Sequence, residues 1–164
     1  MRHIISNLLA IVSRGGNYLI GIGPDARGRM SSWISRGLGE LGDFLRVNGE
    51  GIYATRPWTP ITSVRAQEGW SWYATHPKDS EARVFLFGMP PAPSADEAAD
   101  LSLEEATFAA AGLASTWLEV PGKVHSARIL GSEERVTVEA REGSSRLVIP
   151  QTNLRYAVGV ELTF

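Results

Sequence analysis

The run Tyr18-Leu19-Ile20-Gly21-Ile22 limits what this chain can fold into more than any other feature. It is short, nearly all apolar, and set between Gly15-Gly16 and Gly23-Pro24. A near-continuous apolar run of strand length is the pattern of a parallel sheet buried on both faces. Parallel neighbours need crossover connections of about a dozen residues or more. Before the run there is one amphipathic stretch, where Ile4, Ile5, Leu8, Leu9, Ile11 and Val12 recur at helical spacing. Gly15-Gly16 ends that helix, because glycine accepts the left-handed geometry of a C-cap. After the run, Trp33, Ile34, Leu38, Leu41, Phe44 and Leu45 repeat the helical pattern. Ser31 or Ser32 serves as its N-cap and Asn48-Gly49 as its stop. The first fifty residues therefore read helix–strand–helix. The strand has no neighbour to pair with, so the segment is expected to belong to a larger α/β sheet or barrel.

From Gly51 onward the pattern becomes β-rich. Residues 52–55, 70–74, 83–87, 124–130, 135–140, 147–149 and 156–164 read as strands, with a polar turn over 76–81. Short strands separated by regular turns predict an antiparallel sandwich. The expected class is thus α+β: a barrel remnant over 1–58, followed by a β-sandwich domain over 59–164. Residues 89–114 interrupt it as an insertion, proline-rich at Met89-Pro90-Pro91-Ala92-Pro93 and then rich in Ala and Glu. There Ser102 and Glu105 fit a capping box for a short helix.

The 164 residues suffice for one domain, or one domain plus a fragment. A net charge of -2 and pI near 5.9 argue against a nucleic-acid partner, which would call for a basic stripe. No apolar stretch is long enough to span a bilayer, so no membrane partner is expected. The apolar start is broken by Ser6, Asn7, Ser13 and Arg14, and reads as an amphipathic helix rather than a leader. With no cysteine there is neither a thiolate nucleophile nor a cysteine metal site. His3, His76 and His125 lack ligand spacing, so no metal is expected.

Residues 11–28, Ile11-Val12-Ser13-Arg14-Gly15-Gly16-Asn17-Tyr18-Leu19-Ile20-Gly21-Ile22-Gly23-Pro24-Asp25-Ala26-Arg27-Gly28, carry a more specific signal. Two further blocks, over 38–45 and 47–58, follow in order. Together they resemble the family 29 glycoside hydrolases, the α-L-fucosidases, whose pattern here is close to V-S-x-G-G-N-x-L-L-N-I-G-P-x-x-D-G. Two departures stand out. Gly21 replaces a second asparagine, and the aspartate is shifted to Asp25, leaving Arg27 before Gly28.

The resemblance implies a (β/α)8-like barrel followed by a β-sandwich. Residues 17–22 would be the last barrel strand and residues 31–47 the last barrel helix. Barrel sites open at the carboxyl ends of the strands, so residues 23–29 would lie near the sugar. The implied substrates are α-L-fucosides on fucosylated glycans, hydrolysed with retention and without a cofactor. Retention needs two carboxyl groups about 5 Å apart. In the family both come from earlier barrel segments, so no catalytic residue is expected in this chain and no turnover from it alone. Asp25 and Glu50 read as turn residues rather than as a substitute pair.

Trp70, Trp72 and Tyr73 are the candidate substrate-binding residues, since aromatic faces stack on sugars. The alternation of Trp70, Trp72 and Ala74 on one strand face equally suits a core role, and favours it. Two readings without catalysis stand beside the hydrolase: a carbohydrate-binding module, and a structural module that pairs its orphan strand with a second copy or with a missing barrel segment.

Overall fold

The computed structural model describes residues 1–91, 115–152 and 156–164. The first helix, α1, spans Arg2–Val12. It closes as the glycine pair predicts: Gly15 has φ +82°, and the amides of Gly15 and Gly16 turn back to the carbonyls of Val12 and Ile11. The second helix, α2, spans Ser32–Asn48, and the Ser31 hydroxyl accepts the Ile34 amide at 3.3 Å. Gly49 does not take up the left-handed stop read from Asn48-Gly49. Its φ is -60°, and the chain tightens into a 3-10 turn, Gly49–Gly51. That turn lies flush on the sheet, where a Cβ on Gly51 would meet Phe85 and Phe87 at 2.6–2.7 Å.

Nine strands follow among the described residues: β1 Thr55–Pro57, β2 Arg65–Ala66, β3 Ser71–Pro77, β4 Arg83–Met89, β5 Ser115–Pro121, β6 Ser126–Ile129, β7 Thr137–Arg141, β8 Ser144–Pro150 and β9 Val158–Thr163. They form two antiparallel sheets, ordered β1-β3-β4-β9-β6 and β2-β5-β8-β7. Between them lies one apolar layer that includes Ala74, Val84, Leu86, Leu118, Val120, Leu147, Ile149, Val160 and Leu162. A second layer fills the outer face of the five-stranded sheet. There Phe85, Phe87 and Met89 meet Ile5 and Leu9 of α1 and Leu41 and Phe44 of α2. Strand β4 therefore alternates between two cores, which is why its sequence reads as an unbroken apolar run. By contrast β5 and β8 bury every second residue and keep one face toward water.

The antiparallel α+β sandwich agrees with the sequence reading. The strand expected over 18–22 does not form. These residues belong to neither helix nor sheet, and among the described residues the backbone of residues 17–24 has no hydrogen-bond partner. Ile20 packs against the helical layer, while Leu19 is 91% exposed. The physical reason is the one that made the run conspicuous: an apolar segment becomes a strand only when a neighbour takes up its amides and carbonyls. The strand expected over 52–55 also shifts. It begins at Thr55, after Ala54 turns the chain with φ +55°. Strand β5 has no counterpart in the sequence reading. The capping box at Ser102 and Glu105 lies outside the described residues.

Candidate functional site

The loop that leaves residues 17–22 is organised by one carboxylate. Asp25 Oδ1 accepts the backbone amides of Arg27 and Arg29, each at 2.9 Å. Its Oδ2 takes the Arg29 guanidinium at 3.0 Å, and its own amide donates to the Arg29 carbonyl. Gly28, at φ +74°, allows the chain to curl around it. The Arg29 backbone amide, and then that of Arg27, hold the Asp25 carboxyl below the ordinary carboxylate range. A group with every strong donor turned on it is a structural acceptor and a poor proton donor. Arg27 is left with its guanidinium exposed and, among the described residues, without an ion pair.

Glu50 is equally committed elsewhere. It stands in a four-membered charge cluster that spans β4, β9 and β6 of the five-stranded sheet. Glu161, 8% exposed, receives Arg83 Nε at 2.6 Å through Oε1 and Arg128 through Oε2. Glu50 Oε2 meets the same two guanidinium groups at 3.3 and 3.4 Å. Glu161 raises Arg83 above its ordinary value, chiefly by their hydrogen bond. Two arginines thus neutralise two carboxylates, and both acids are held in ion pairs at the sheet. Among the described residues no group of three His, Cys, Asp or Glu side chains could hold a metal ion.

The aromatic trio does not share a face. The rings of Trp70 and Trp72 stack on one another, 5.7 Å between centroids and 22° between planes, against the layer between the sheets. Gly88 makes room for them, since a Cβ there would meet the Trp72 ring at 2.5 Å. Tyr73 turns the other way, toward the helices, with its hydroxyl 3.3 Å from Ser6 Oγ.

The large exposed apolar side chains among the described residues come from the amino-terminal third. Leu19 and Ile22 come from the unpaired segment, Trp33 and Leu38 from α2, and Tyr53 from the turn after it. Trp33 is 78% exposed at the first turn of α2.

Residues 1–50 match the family model described as Alpha-L-fucosidase. The chain is related to the α-L-fucosidases. A tissue α-L-fucosidase of Macaca fascicularis is 49% identical over 55 residues, which cover 34% of this chain and 12% of that protein. An α-L-fucosidase of Dictyostelium discoideum is 33% identical over 87 residues, 53% of this chain and 18% of that one. The solved α-fucosidase of Thermotoga maritima aligns with 99% of this chain and 34% of its own, at a TM-score of 0.69 and 18% identity. That last likeness speaks for the fold alone. The match to curated fucosidases thus spans less than a fifth of their length.

Trp117 was absent from the residues singled out in the sequence. Strand β5 carries it on the outer face of the four-stranded sheet, opposite the buried Leu118 and Val120. The alternation Trp117-Leu118-Glu119-Val120 is the signal that finds it.

Proposed function

We propose that this chain forms part of an α-L-fucosidase-type glycoside hydrolase. Residues 1–58 act as its last strand–helix unit and residues 59–164 as the appended sandwich, with fucosylated glycans as substrates. The carrying observation is the segment 17–24, whose backbone has no hydrogen-bond partner among the described residues and which leaves Leu19 and Ile22 exposed, as α2 leaves Trp33. A central barrel strand needs a neighbour on each side, and its helix needs an adjoining helix to cover residues such as Trp33. The order of that surface (segment, ordered loop, helix) is that of a barrel unit, with the Asp25-organised loop at the end where substrates bind.

The carboxylates for retention are then supplied from outside this chain. Asp25 is locked as an acceptor, and Glu50 and Glu161 are neutralised by Arg83 and Arg128. The test is hydrolysis of an aryl α-L-fucoside by the purified chain, alone and joined to a fucosidase barrel that lacks its last strand–helix unit. Turnover is expected only in the joined form. Turnover by the chain alone overturns the assignment of the carboxylates to another segment. No turnover in a well-folded joined form overturns the docking role.

A further inference from the structure

The outer face of the four-stranded sheet lies across the inter-sheet core from the helices, and neither the family relationship nor the proposed activity uses it. The strand register places its residues in rows. Trp117 stands opposite Val148. Arg65 stands opposite Glu119, Glu119 opposite Arg146, and Arg146 opposite Glu139. Their in-between neighbours Leu118, Val120, Leu147 and Ile149 fill the core, so these side chains project away from it.

Trp117 belongs to neither apolar core. It packs instead with Arg146, whose guanidinium carbon sits 4.5 Å from the ring centroid. The other charges on this face are matched. Glu119 Oε1 takes both Arg65 Nη2 and Ser144 Oγ at 2.8 Å, and Glu139 pairs with Arg141 at 3.5 Å. Among the described residues the Arg146 side chain has neither ion pair nor hydrogen bond, and its Nε is sealed from water without an acceptor. Its terminal nitrogens are not closed off in this way, so they are where an acceptor from outside can complete a guanidinium that has no acceptor of its own. Glu119 Oε2 likewise bonds to no described residue.

We propose that this face binds a neutral sugar ring, through Trp117, Arg146 and Glu119. A pyranose offers an apolar C–H surface to an aromatic side chain and a rim of hydroxyls to its surroundings. Of two adjacent hydroxyls, one donates to Glu119 Oε2 and the other accepts from Arg146. Ser144 and Arg65 keep the Glu119 carboxyl below its ordinary value, so it remains an acceptor at neutral pH. A carboxylated sugar fits less well, because Arg146 stands between Glu119 and Glu139. A protein partner would look for an apolar centre. Among the described residues the large exposed apolar side chains, Leu19, Ile22, Trp33, Leu38 and Tyr53, lie within residues 19–53 rather than on this sheet.

The experiment is an amide and indole NMR titration of the full chain with lactose, cellobiose, mannobiose and 2′-fucosyllactose, and with digalacturonate as the anionic probe. At least one neutral probe is expected to move the Trp117 indole signal. Arg146→Gln and Trp117→Ala should each weaken that probe about tenfold or more, while signals from β4 and β9 report an intact fold. Glu119→Gln, which keeps the shape and loses the charge, provides a milder variant if either of the others fails to fold. No movement at Trp117 with any neutral probe at about 10 mM overturns the proposal. Stronger binding of digalacturonate than of every neutral sugar overturns the neutral-ring assignment. Because the site stands apart from the loop at Asp25, loss of fucoside turnover leaves this result untouched, and the converse also holds.

Discussion

Residues 18–22 and strand β4 are close in composition and opposite in outcome. Both are short apolar runs containing one glycine. Strand β4 lies between β3 and β9, with Val84 and Leu86 in one core and Phe85 and Phe87 in the other. Among the described residues the run at 18–22 has no strand on either side, and it leaves Leu19 in water. Hydrophobicity therefore marks a segment that needs cover, while neighbouring strands decide whether it becomes sheet. What distinguishes the two runs is the surrounding chain rather than their own residues.

Substitutions can break that comparison. Leu86→Ala, in the middle of β4, should destabilise the chain by about 3 kcal/mol, because it leaves a cavity between the sheets. Denaturant unfolding would measure this, and a loss close to that of an exposed residue would contradict a two-sided core around β4. Gly159→Ala comes next. Its Cβ would stand 2.2 Å from Asn48 Oδ1 and 3.0 Å from Leu130, and overpacking of this kind costs about 2 kcal/mol. The companion variant Asn48→Ala should recover part of that loss, which a double-mutant cycle would read.

Glu161→Gln is expected to cost about 1–2 kcal/mol, since Arg83 and Arg128 lose the charge they share. The loss should shrink in high salt, where the remaining Glu50 contacts and the released guanidinium groups are screened. Acid should act more gently through Asp25 and Glu119. Both have carboxyl values below the ordinary 3.8 and 4.5, so each contributes stability that is fully present above the unfolded value. That contribution fades as pH falls from about 4.5 through the lower folded values. Carboxyl NMR titration should place both below their unfolded counterparts; a normal value for Asp25 would mean that its loop is not organised around it.

The smallest effect sharpens the comparison most. Leu19→Ser should leave stability within about 0.5 kcal/mol, because nothing in the described chain covers that side chain. In the joined hydrolase the same change should lower fucoside turnover or assembly. An unchanged joined form would place Leu19 outside any interface.

Periodicity and capping made much of the fold legible beforehand. Ser31, the apolar spacing of α2 and the alternation in β8 are local signals, and each survives in the structure. The shared-face reading of Trp70, Trp72 and Ala74 also rests on strand period, and those three side chains do face one layer. Three features were hidden for physical reasons. Strand β5 follows an Ala- and Glu-rich stretch, so its start carries no turn signal, although Pro121-Gly122 marks its end. The fate of residues 18–22 depends on partners that a local pattern does not contain. Arg146 becomes conspicuous only when the register seats it between two carboxylates that other arginines have already claimed. Sequence spacing shows that charges exist, and pairing decides which of them is left over.

The seat of Asn48 above Gly159 has a kinematic meaning as well. Its amide nitrogen is tied to the Phe44 carbonyl at 3.0 Å, so the side chain is a fixed part of the helix. Its oxygen rests in the notch left by the missing Cβ of a strand residue. Such a detent permits the helix to lift off the sheet but resists sliding along it. A shear applied along the sheet through α2 would then be felt first at β9, whereas a pull away from the sheet would meet no such stop.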